Sequence, residues 1–63
     1  MKKGTVKFYN STKGYGFISD IDTGEEIFVH TTGLKTEIRE GDQVTFDVTE
    51  GKKGLNAVNV QLQ

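Results

Sequence analysis

The side chains best placed to do chemistry in this chain are rings. The stretch KGYGFISD, residues 13–20, sets Tyr15 and Phe17 two apart among Gly14 and Gly16, with Lys13 just ahead. A second stretch, IFVH at 27–30, carries Phe28 and His30 at the same spacing. Residues two apart in an extended strand share a face. Each pair therefore presents flat surfaces side by side. Flat π-faces beside lysine ammonium groups suit nucleobase stacking with phosphates held nearby, and each stacked base is worth about 1–3 kcal/mol. Other chemistries have less to work with. His30 is the only imidazole and there is no cysteine, so no metal site and no disulfide framework are expected. Ser19, Thr31, Thr32, Glu25 and Glu26 are available as partners for His30, but no nucleophile elbow or oxyanion motif accompanies them. Neither catalysis nor a cofactor is expected, because so small a barrel offers no deep pocket that excludes water.

The elements that must position these rings are short strands. Eight glycines break the chain, and the runs between them are rich in Val, Ile, Thr, Phe and Tyr. Such a pattern predicts an all-β barrel or sandwich in one domain. Strands are expected near Thr5–Asn10, Gly16–Ile21, Glu26–His30, Gln43–Glu50 and Asn56–Leu62, with a turn at DTGEE. Strand four alternates cleanly, with Val44, Phe46 and Val48 on one face and Thr45, Asp47 and Thr49 on the other. The aliphatic faces assemble into an expected core of Val6, Ile18, Ile27, Val29, Val44, Phe46, Val48, Val58 and Val60. That register turns Tyr15, Phe17, Phe28 and His30 outward. The opposite register would bury the rings but expose Ile18, Ile27 and Val29. Glycines 14 and 16 are read as clearing a path for bases, with Gly14 also suited to a positive-φ turn.

Charge follows the same division. The net charge is −1 over 63 residues, which by itself does not mark a nucleic-acid binder. Yet residues 1–18 hold Lys2, Lys3, Lys7 and Lys13 with no acid, and every Asp and Glu lies between Asp20 and Glu50. The ring-bearing segment is thus locally positive. Lys52 and Lys53 in EGKKG read as a charged hairpin turn that can reach a phosphate backbone. The opening MKKGTVKF has no apolar run after its lysines, and no stretch is apolar for long enough to span a bilayer, so a cytoplasmic, membrane-free protein is expected.

At this point the sequence resembles a known family, the bacterial cold-shock proteins, a branch of the OB-fold. The likeness covers nearly the whole chain. KGYGFI at 13–18 matches the first ribonucleoprotein motif and IFVH at 27–30 the second, while GTVKFYN, EGDQVTFDV and GLNAVNV match the first and last two strands. The resemblance implies a five-stranded antiparallel OB-fold barrel that binds single-stranded RNA and DNA. It implies activity as an RNA chaperone or as a cold-shock regulator of transcription and translation. It places base-stacking and contact positions on Lys7, Phe8, Asn10, Lys13, Tyr15, Phe17, Phe28 and His30, with Tyr9 and Lys53 at the edge. Glu26 falls where the family often has an acid that accepts a base hydrogen bond. Strict alternation from Val6 would turn Phe8 inward and leave Lys7 and Tyr9 outside, so a β-bulge or a strong bend near Phe8 is expected to reconcile the strand period with the resemblance.

The chain also departs from that pattern. Thr31 stands where the family has another phenylalanine, Phe8 where it has tryptophan, and Leu55 where it has proline. The loop TTGLKTEIREG is short and lacks an aromatic that many relatives carry. A weaker binder with a shorter footprint is the expectation, acting as a monomer. The rival to nucleic-acid binding is a small β-barrel that holds peptides in an aromatic groove. Lysines interleaved with the rings favour a phosphate-bearing, salt-sensitive partner.

Overall fold

A computed structural model describes residues 1–51 and 54–63. Five strands run in order: β1 (Lys2–Asn10), β2 (Tyr15–Asp20), β3 (Glu26–His30), β4 (Gln43–Gly51) and β5 (Gly54–Leu62). A single 3₁₀ turn, Thr31–Gly33, follows β3. The strands close into a barrel in the order β1-β2-β3-β5-β4. The expected barrel and its five strands are all present. The pairing is antiparallel except at one seam, where β3 and β5 run parallel through Phe28↔Asn56 and Val29↔Ala57. The barrel is thus mostly antiparallel, with one parallel seam: a chain that leaves β3, visits β4 and returns as β5 arrives beside β3 in the same direction.

β1 serves two neighbours. Its first half, Lys2–Thr5, pairs with Phe46–Gln43 of β4, and from Gly4 onward it pairs with β2. The strand must therefore bend in the middle. Gly4 permits the crossing, because a Cβ there would lie 2.6 Å from the Ser19 carbonyl and 2.9 Å from the Phe46 ring. The bend is completed by a bulge at Lys7, where the register steps from Val6↔Ile18 to Phe8↔Phe17. Of the bulge or strong bend expected near Phe8, the strand carries the bulge.

The core is aliphatic with one ring at its centre: Val6, Ile18, Ile27, Val29, Ile38, Val44, Phe46, Ala57 and Val60. Val48 packs against it partly buried, as do Tyr9 and Leu34. One expected core residue is displaced. Val58 lies half-exposed, and Ala57 takes the inward position. The cause is a second bulge: the β4–β5 register jumps from Thr45↔Gln61 to Asp47↔Val58. Asn59 sits there with φ 53°, a left-handed conformation that asparagine tolerates better than most residues. Its amide donates to Asp47 Oδ2 at 3.2 Å. Ile38 and Leu34 come from the loop between β3 and β4, where no strand period reveals an inward face.

A buried acid holds the β2–β3 turn. Asp20 is 2% exposed. Its carboxylate accepts the Asp22 N–H at 2.8 Å, the Thr23 N–H at 3.4 Å and the Lys2 ammonium at 3.3 Å. Gly24, at φ 76°, completes the turn by donating its N–H to the Asp20 carbonyl. The Asp22 hydrogen bond, reinforced by Lys2, holds the Asp20 carboxyl below its ordinary value of 3.8 and outweighs the opposing effect of burial. A lowered folded-state pKa stabilises the fold above that value and loses the contribution as pH falls through it. Asp20→Asn should therefore lower the urea midpoint at pH 7. The gap between wild type and variant should shrink as the pH is taken below about 4, a trend that paired urea titrations at pH 7 and pH 3 would show.

Candidate nucleic-acid interface

The interface is built on the outer face of β1, β2 and β3. Because Ile18 pairs with Ile27 inside the barrel, the next pair, Phe17↔Phe28, points outside. The bulge at Lys7 brings Phe8 into the same row, opposite Phe17. A second row lies one step along: Asn10 faces Tyr15, which faces His30. Phe8 is 40% exposed, and Tyr15, Phe17 and Phe28 are half-buried against one another. The rings touch as a set. Tyr15 and Phe28 lie nearly parallel with centroids 5.9 Å apart, and Phe8 sits 5.9 Å from Tyr15. Phe17 meets Phe28 edge-on at 5.9 Å and Tyr15 edge-on at 6.4 Å. Ring pairs in tilted or offset geometry gain about 0.5–1.5 kcal/mol beyond their buried area. The four rings thus support one another as a packed set.

Gly16 has a different role from the one its position suggested. It faces inward, and a Cβ there would lie 2.8 Å from Tyr9 Cα. Its missing side chain therefore makes room for β1 rather than for a base. Tyr9 turns with it and packs against the core instead of extending the platform. Its outer edge lines a hollow of about 730 Å³ shared with Ser11, Thr31 and the 34–40 loop. Gly14 fulfils its turn role: φ is 78°, and its N–H bonds the Asn10 carbonyl at 2.8 Å.

The polar residues are placed as follows. Lys7, the bulged residue, is exposed and forms an ion pair with Glu26 at the start of β3. The carboxylate expected to meet a base is thus already held by an ammonium group. Lys13 is exposed on the β1–β2 turn, where its N–H donates to Asn10 Oδ1 at 3.0 Å. Asn10 therefore shapes the turn as well as flanking Tyr15. His30 is exposed at the end of β3 and caps the 3₁₀ turn, its Nδ1 accepting the Thr32 N–H at 3.3 Å. Thr32 Oγ1 lies 3.1 Å from the same nitrogen. This is a capping geometry in which the imidazole already serves a backbone group. Lys53 lies outside the described residues. Among the described residues no cluster of three His, Cys, Asp or Glu side chains is placed to hold a metal ion. No helix among them is long and apolar enough to cross a membrane.

A closed five-stranded barrel with a ring platform on β1–β3 defines the OB-fold class of small binding domains. Comparison with known proteins narrows that class. The 'Cold-shock' DNA-binding domain family matches residues 2–63. Cold shock protein ScoF of Streptomyces coelicolor is 44% identical over 64 residues, covering 95% of this chain and 96% of its own. The major cold shock protein of Streptococcus pyogenes is 48% identical over 65 residues, with coverage of 95% and 94%. Among solved structures, drosophila Unr CSD456 superposes with a TM-score of 0.80 at 25% identity, over 98% of this chain and 26% of its own. The chain belongs to the cold-shock domain family.

Rings that face outward should matter more to binding than to folding. Phe46 is fully buried, and truncating a buried phenylalanine costs about 3–5 kcal/mol. Phe17→Ala and Phe28→Ala should each lower the melting temperature far less than Phe46→Ala, while each removes a stacking surface. Thermal melts of the three variants, set beside oligothymidine affinities, give the ranking. A larger melting loss in Phe17→Ala than in Phe46→Ala would mean that the platform is part of the core.

Proposed function

We propose that the chain binds single-stranded RNA and DNA by stacking successive bases on its ring platform, with phosphates near Lys7 and Lys13. The observation that carries this reading is the set of four contiguous aromatic rings on the outer face of three adjacent strands. Exposed apolar clusters of this kind mark binding surfaces. Base stacking tolerates sequence, so the expected partner is a class of strand and not one site. The family match to a DNA-binding domain supports the same reading. Phe8, Tyr15, Phe17, Phe28 and His30 are the stacking candidates, and Asn10 and Glu26 flank them with polar groups. Holding strands unpaired is the action of an RNA chaperone, and it links the protein to transcription and translation in the cold. A cytoplasmic monomer without catalytic activity fits that role.

The Lys7–Glu26 ion pair tunes this binding. Lys7 can engage a phosphate only by sharing or leaving Glu26. Exposed pairs are worth about 0–1 kcal/mol, so the strand can displace the carboxylate at little cost. Glu26 is then available to accept from a base N–H.

The experiment is fluorescence anisotropy of a labelled oligothymidine and of its duplex, titrated with protein at two salt concentrations. Binding of the single strand alone, weakened by salt and lost in Phe17→Ala, is the expected result. Salt-insensitive capture of an apolar peptide, with no single strand bound at low salt, would replace this reading with the peptide-groove one.

Thr31 offers a second check. It is exposed at the first position of the 3₁₀ turn, beside His30, and supplies no ring. Thr31→Phe should tighten oligothymidine binding at least about fivefold, the lower end of the worth of one added stack. Unchanged affinity would place the strand's path elsewhere.

A further inference from the structure

The 3₁₀ turn after β3 is anchored on two sides. The Thr31 N–H donates to the Gly14 carbonyl at 2.9 Å, which ties the turn to the β1–β2 connection. The Lys35 N–H donates to the Val60 carbonyl at 2.7 Å, and the Leu34 N–H closes the turn onto the Thr31 carbonyl at 3.1 Å. Gly33 lies so near β5 that a Cβ there would sit 2.7 Å from the Ala57 carbonyl. The His30 imidazole has no such anchorage. It is exposed, and among the described residues its hydrogen bonds go to Thr32 alone. The turn therefore does not depend on the ring, whereas the ring depends on the turn.

Thr32 meets His30 Nδ1 with two groups of different capacity. Its N–H, at 3.3 Å, can only donate. Its Oγ1, at 3.1 Å, can donate or accept. A neutral ring with its proton on Nε2 accepts from the N–H. A protonated ring carries N–H on both nitrogens, so the amide can no longer serve it and the hydroxyl oxygen becomes the acceptor. One residue thus fits Nδ1 in both proton states without the ring turning. The surrounding groups offer no substitute. Tyr15 stands opposite on β2, and Asn10 lies beyond it on β1. Lys13 belongs to the connection that bonds Thr31, and Lys35 follows the turn. From β4 and β5 the neighbouring polar side chains are Thr49, Asn56 and Asn59, all uncharged. Glu37, Arg39 and Glu40 line the separate hollow beyond Thr31 and Tyr9. Glu26 is at the far end of β3, paired with Lys7.

We propose that Thr32 is a positioning residue for strand binding: it holds the His30 ring on the nucleic-acid face, with Nε2–H free, in both proton states. The held imidazolium then adds a cation to the site when the ring is protonated. The proposal rests on the single-strand reading above. Without the hydroxyl, a protonated Nδ1–H would face the Thr32 N–H with no acceptor. The ring would have to swing out to find water, and its charge would leave the face where phosphates pass.

The test compares oligothymidine affinities at pH 5.5 and pH 8, either side of the ordinary imidazole value of about 6.5. The proteins are the wild type, Thr32→Val, Thr32→Ser and His30→Gln, all at one low salt concentration. Valine keeps the shape and the backbone N–H and removes the hydroxyl, while serine restores it. His30 is the only imidazole in the chain, and His30→Gln reports what the amino terminus contributes over the same range. The wild type is expected to bind about threefold tighter at pH 5.5, the scale of one exposed ion pair. Thr32→Ser should show the same gain, and Thr32→Val and His30→Gln should not. Melting temperatures at both pH values check that each variant is folded when its affinity is read. An equal gain in Thr32→Val would overturn the role of Thr32 alone. So would a gain lost in Thr32→Ser, or absent from a wild type that still binds the strand. Failure of the wild type to bind oligothymidine at either pH would overturn both this role and the single-strand reading.

Discussion

The register of β2 on β3 is the constraint on which the rest of the structure depends. Ile18 must meet Ile27 inside the barrel, and period two then sends Phe17 and Phe28 outside as a pair. A slip of one residue would bury the rings, expose the aliphatics and abolish the platform. Fold and site are therefore the same decision made on opposite faces of one hairpin. The acid-held turn at Asp20 secures that decision from the hairpin's end, because it closes the loop that joins the two strands.

Curvature is the second requirement, and irregular residues supply it. A flat sheet of five short strands cannot close. The bulge at Lys7 bends β1 between its two partners, and the bulge at Asn59 bends β5 across β4. Both irregularities also re-aim side chains. The first swings Phe8 onto the platform and turns Tyr9 under it. The second exposes Val58 beside the β3–β5 seam. Bulges in small barrels re-aim side chains as well as bend strands, and here each does both.

The platform places binding surface in tension with stability. Four of the six aromatic rings in the chain lie on its outer face, in a protein too small to hold a large core. Their mutual packing recovers part of the lost burial and limits the rotamers each ring can adopt. That limit matters for binding, because side chains with fewer rotamers lose less conformational freedom when bases arrive. The Lys7–Glu26 pair follows the same economy on the polar side. It keeps a cation beside the rings without leaving it uncompensated in the free protein.

Much of this was legible in the residues. The strand period named β3 to the residue and the other four strands to within two or three. It also identified eight side chains that lie in or against the core, and the outward set of Tyr15, Phe17, Phe28 and His30. These follow from local patterning, which one face of a strand imposes on its own sequence. What escaped depends on partners distant in the chain. Val58 reads as core by alternation and is not, because an Asn59 bulge resets the period only when β5 lies on β4. Ile38 and Leu34 sit in a loop without a period, and their burial comes from packing against strands far away in sequence. Gly16 looked like clearance for a ligand, and only the approach of β1 shows that it is clearance for the protein's own backbone. The parallel seam of β3 with β5 has no local signature, since it is created by barrel closure. Along the stretches of strand free of bulges, the sequence by itself determined which side chains face out, because alternation is a property of each strand. Where those faces meet, and which hollows form between them, was decided by the tertiary structure alone, because register and curvature exist only between strands.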